Sequence, residues 1–132
     1  MEVIIMNKQL NEIFKNHKEG KDVSSLVNKL AAKIIPIGKK DPLWEIGAQN
    51  LLKGVIISLL NNPKTTAETF TTDKIKEICE LGNLKGDKLE KLRSYFEKQP
   101  LACRQLADAV VNNSDNTAKS YLGVLYNYLA RL

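Results

Sequence analysis

The chain has 132 residues, of which 43% are hydrophobic and 27% charged, with a formal net charge of +5. That length suits one domain with a real core and is too short for two, and the composition excludes wholesale disorder, a collagen-like repeat and an integral membrane protein. A basic excess this modest permits an acidic partner such as DNA without requiring one.

Residues 1–6 are apolar but have no signal-type h-region or cleavage site after them, so they suit a strand remnant, a helix lead-in or an artificial start. Residues 7 to about 18 carry Leu10, Ile13 and Phe14 on a short amphipathic stripe that ends at Gly20. Residues 1–20 are thus a lead-in helix to a core domain spanning 21–132. Asp22 is the expected N-cap of the next helix, in which Val23, Leu26, Val27, Leu30, Ala31 and Ile34 share one face. Ser25, Asn28, Lys29 and Lys33 occupy the other face, and Pro36 and Gly38 stop the helix.

Asp41-Pro42 is a strong helix start, with Asp as cap and Pro pre-organised for the first helical position. Glu45 follows in the first turns, at the positive end of the helix dipole. This helix, 41–62, ends before Pro63 and is apolar almost all round, so it is expected at the buried centre of the fold. Its polar residues Glu45, Gln49 and Lys53 form one narrow wet stripe. Gly47 and Gly54 each cost about 1 kcal/mol relative to Ala inside a helix, and the expected compensation is close approach of a neighbouring helix. No run approaches the ~20 apolar residues of a membrane span.

Residues 63–72 read as a loop, with Thr72 capping a helix over 73–81 whose Ile75, Ile78 and Cys79 face inward. After a turn at 82–86, residues 87–98 form a helix with Leu89, Leu92, Tyr95 and Phe96 inward. Pro100 breaks it, a helix over 101–111 follows, 112–116 turn, and 117–132 form the last helix. The fold class is therefore all-α: one compact bundle of six to eight helices around the helix 41–62.

The chemical inventory points away from catalysis. His17 is the single histidine, reads as a surface residue, and leaves no metal-ligand set. Cys79 and Cys103 fit neither metal spacing nor a disulfide framework and read as buried thiols of a reducing cytosol. No phosphate loop, nucleophile elbow or Ser/His/Asp set is present, so no enzyme, cofactor or metal is expected. The basic excess is concentrated in the first 40 residues, with eight lysines against four acids. Lys29 and Lys33, one turn apart, and Lys39 and Lys40, leading into the central helix, are the candidate contacts for DNA or a partner. Asp41, Pro42 and Trp44 are the expected structural anchors.

The stretch Asp41-Pro42-Leu43-Trp44-Glu45, followed by Gln49-Asn50-Leu51-Leu52-Lys53-Gly54-Val55-Ile56, resembles the Asp-Pro-Phe-Trp-Glu helix of type IV secretion coupling proteins. These are the conjugative DNA-transfer ATPases of the TraG/TraD type. Ser114-Asp115-Asn116-Thr117-Ala118-Lys119-Ser120-Tyr121-Leu122 is similar to the family's Lys-Thr-x-x-Ser helix, and Asp22-Val23-Ser24-Ser25-Leu26-Val27 to its Asp-Val-x-x-Leu helix. Leu43 replaces the usual Phe. The resemblance covers roughly residues 20–132 and implies the family's all-α domain, excised from a RecA-like ATPase whose Walker motifs lie elsewhere. It further implies a cytoplasmic substrate-recruitment role within a membrane-anchored complex, without membrane contact by this domain. The implied partners are a relaxase or other DNA-processing protein, DNA, and the parent chain's nucleotide-binding domain. Two alternatives remain. One is a small helical DNA-binding regulator using 101–111, the turn and 117–132 as a helix-turn-helix, with only Lys119 and Arg131 as bases on its last helix. The other is a protein-only adaptor.

Overall fold

A computed structural model describes residues 1–38, 42–82 and 89–132. Among the described residues there are eight α-helices and no strand: α1 Val3–Lys18, α2 Ser24–Ile34, α3 Pro42–Asn61, α4 Thr72–Cys79, α5 Leu89–Glu97, α6 Leu101–Leu106, α7 Asp108–Val111 and α8 Asp115–Leu129. A 3₁₀ turn at Glu80–Gly82 continues α4. The protein is an all-α bundle with α3 at its centre.

The reason lies in the circumference of α3. Ten of its residues are buried, including Leu51, Leu52, Val55, Ile56 and Leu59, and α2, α4, α6, α7 and α8 all pack on it. By length and composition α3 could cross a membrane. Here other helices take the place of lipid. Its two buried or half-buried glycines are contact points for two different neighbours. A Cβ on Gly47 would enter the Tyr121 ring of α8. One on Gly54 would lie 3.4 Å from the Cys103 carbonyl and from Leu106 Cβ on α6. The expected close approaches are present.

The first helix starts four residues earlier than periodicity indicates, and Met6 is completely buried in the core. Residues 3–6 are therefore a helix lead-in. Asp22 does not sit at the N-cap position, which Val23 occupies; its Oδ1 instead accepts from Ser24 N at 2.9 Å and Ser24 Oγ at 2.7 Å. Burial of one face of α2 through Val27, Leu30, Ala31 and Ile34 follows the sequence pattern. Pro42 does open α3, while the expected Asp41 cap lies outside the described residues.

Two caps differ by one or more residues from expectation. Thr71, not Thr72, caps α4 by accepting from Lys74 N. Thr72 is fully buried, and both its N–H and its hydroxyl donate to Asn7 Oδ1, at 2.9 and 2.8 Å, tying α4 to α1. Ser114 caps α8, so this helix begins at Asp115 rather than at 117. The helix expected over 101–111 is broken at Ala107 into pieces of six and four residues.

Candidate partner-binding surface

Lys29 and Lys33 are exposed on α2, as their spacing requires. They do not stand on an open basic plane. Both line a small groove of about 110 Å³ between α1 and α2, together with Gln9, Glu12 and Leu26. The Oε1 atom of Gln9 is buried and has no hydrogen-bond partner among the described residues. Glu12 places an acid opposite the two lysines, so the groove is mixed in charge. Lys39 and Lys40 lie outside the described residues, and the structure brings nothing to bear on them.

Other bases of the first third are partly committed. Lys21 pairs with Glu19 at 3.0 Å, both exposed, and this pairing holds the Glu19 carboxyl below its ordinary range. Lys18 stands 5.3 Å above the Phe14 ring. His17 is half-buried rather than a plain surface residue, because it borders a cleft with Val23, Val27, Ile57 and Leu60 where α1 and α2 meet α3.

Trp44 is half-buried and lies outside the fully buried core. Its ring packs on Tyr121 with centroids 4.7 Å apart and planes tilted by 54°. It also borders an open hollow with Ser120, Gly123 and Val124. The contact joins the start of α3 to α8, so Trp44 anchors one helix to another at the rim of the core rather than inside it.

The wet stripe expected on α3 is not where the sequence pattern puts it. Gln49 is buried, and its Nε2 donates to the Ile35 carbonyl. Glu45 accepts from Gly38 N through Oε1 and from Tyr128 OH through Oε2, each at 2.9 Å. The bond to Glu45 raises the Tyr128 hydroxyl above its ordinary value, and Arg131 covers the same ring at 4.6 Å. Both polar residues thus hold the backbone that leaves α2, where carbonyls and amides lose their helical partners. Outward on α3 are Leu43, Ile46 and Asn61, exposed, and Asn50, Lys53 and Ile57, half-buried; Ile57 packs against the core and Asn61 Nδ2 donates to Cys103 Sγ at 3.7 Å. Leu43 is 65% exposed and Ile46 42%.

A second polar hub was not anticipated. Arg93 on α5 donates to the carbonyls of Val110 and Asn113, at 3.0 and 2.7 Å, and to the carboxylates of Asp115 and Glu90, at 2.7 and 3.0 Å. It closes the end of α7 and the start of α8 at once. The bond from Arg93 holds the Asp115 carboxyl below its ordinary value. In sequence Arg93 looks like one more base on a charge-balanced amphipathic helix.

Cys79 and Cys103 are both free and buried. Burial pushes the Cys79 thiol up to about 12, which suits packing and not nucleophilic work. The described residues contain no group of three or more His, Cys, Asp or Glu placed to hold a metal. Comparisons of the chain with protein-family models, curated proteins and solved structures find no match.

Proposed function

We propose that the chain is the substrate-recruitment domain of a type IV secretion coupling protein. It would receive a relaxase or its DNA on the cytoplasmic side of the conjugative transfer complex. One observation carries the reading. Two of the sequence stretches that resemble the family, 41–56 and 114–122, lie on different helices and meet through Trp44, Gly47 and Tyr121. Such a pair of motifs is coherent as a packing signature of one all-α domain. Chemistry would then belong to the parent ATPase, and this domain would be a binding module with no cofactor of its own.

On this reading the recruiting face includes Lys29, Lys33, Lys39 and Lys40, with electrostatics as a general, salt-sensitive component. The helix-turn-helix alternative loses ground. Its first helix is broken at Ala107, Lys119 is half-buried, and Arg131 is stacked on Tyr128. The test is a variant with all four lysines changed to Glu, checked first for unchanged helicity and melting. DNA affinity measured against salt should fall, with the slope of log K against log[salt] shrinking by roughly one unit per lost phosphate contact. Unchanged affinity and slope would remove these lysines from the recruiting face.

A further inference from the structure

The outward positions of α3 recur with spacings of three and four: Leu43 and Ile46, exposed, then Asn50, Lys53 and Ile57, half-buried, ending at Asn61. That is the spacing of a seam made for another helix. From Leu43 to Ile57 it runs for about 21 Å at 1.5 Å per residue. At its upper end the seam opens into a pocket of about 200 Å³, with Leu43 and Ile46 on one wall and Leu106 and Ala109 of the α6–α7 segment on the other. Asp108, an exposed acid, lines the same pocket. Lys53 stands two turns further along, half-exposed and in no ion pair among the described residues.

We infer that this seam seats one amphipathic helix of a protein partner, with apolar anchors entering the Leu43–Ile46 pocket, a base facing Asp108 and an acid facing Lys53. Leu43 and Ile46 are exposed large apolar side chains beside a pocket, and covering them removes apolar surface from water. The separated charges give the bound helix a direction, since reversing it would set base against Lys53 and acid against Asp108. A second copy of this chain is the poorer occupant. Paired antiparallel along its full length, the seam would place Lys53 over the partner's Ile46; paired parallel, Lys53 would face Lys53. This inference does not depend on the lysine face of α1 and α2.

The experiment uses the full chain, isotopically labelled for amide shifts. The probes are two synthetic amphipathic peptides of about 18 residues, long enough to follow the seam. Both carry leucines one turn apart; in the first an Arg flanks them and a Glu follows about seven residues on, and in the second Arg and Glu are exchanged. The first should bind about tenfold more tightly or better, and shift amides of α3, α6 and α7. Lys53→Glu should abolish the preference between the peptides, since each then meets one opposite and one like charge, and Ile46→Asp should weaken both while melting is unchanged. Equal binding of the two peptides, or shifts that map elsewhere, would overturn the assignment. So would a dimer in sedimentation that Ile46→Asp abolishes, because the seam would then belong to a second copy. DNA binding by Ile46→Asp should remain as in the parent, which separates this inference from the recruitment reading.

Discussion

Gly47→Ala is a sharp test of the packing, because two opposing terms of known size meet there. In an open helix the change should stabilise by about 1 kcal/mol through helix propensity. Here the new Cβ would enter the Tyr121 ring, which must swing away. That motion breaks the Trp44–Tyr121 pair, worth about 0.5–1.5 kcal/mol, and adds a repacking cost of about 1–3 kcal/mol. The result should be a net loss of about 1–2 kcal/mol, toward the lower end because Tyr121 is half-buried and can move outward. In a Tyr121→Ala background the clash is gone, and Gly47→Ala should then stabilise by about 0.5–1 kcal/mol. Urea melts of the four proteins give the coupling energy, expected near 2 kcal/mol. An equal, stabilising effect of Gly47→Ala in both backgrounds would refute the contact between α3 and α8.

Gly54→Ala, whose Cβ meets atoms at 3.4 Å, should be neutral or stabilising by up to about 1 kcal/mol in the same melts. Trp44→Ala should cost about 1–3 kcal/mol in those melts, short of the 3–5 of a fully buried aromatic, because the ring is covered on one side by Tyr121. Arg93→Ala should cost about 2–3 kcal/mol at neutral pH, since it leaves the Val110 and Asn113 carbonyls without their charged donor. Because Asp115 is depressed below its ordinary 3.8, its contribution is present above that pH and lost as the pH falls through the lower folded value; this acid-side loss should be smaller in Arg93→Ala. Cys79 and Cys103 should react with a thiol reagent only as fast as the protein opens, and prompt labelling of either in the native state would contradict their burial.

The helices of the core were legible because their apolar spacing is unambiguous: the inward face of α2 and the burial of α3 on several sides both follow from it. Pro42 and the two glycines of α3 were legible from local rules, the first helical position for proline and close helix approach for glycine. What could not be read is where polar side chains find partners far along the chain. Thr71 and Thr72 are equal candidates as caps until Asn7, 65 residues away, engages Thr72. Glu45 and Gln49 look solvated until the α2–α3 connection turns back onto them. The seam of α3 was displaced with them: once those two polar residues turn inward, Leu43 and Ile46 are left outside. The break at Ala107 carries no proline or glycine to announce it. Of the candidate site, the exposure of Lys29 and Lys33 was legible, but the acid Glu12 beside them comes from another helix.

The recruitment reading is tested most directly by titrating the purified chain with the purified relaxase of its own transfer system, followed by fluorescence anisotropy with and without that system's DNA. Saturable binding, weakened by added salt and by the four-lysine substitution, is the predicted result. Absence of saturable binding to both the relaxase and its DNA complex, by a chain shown to be folded, would contradict it.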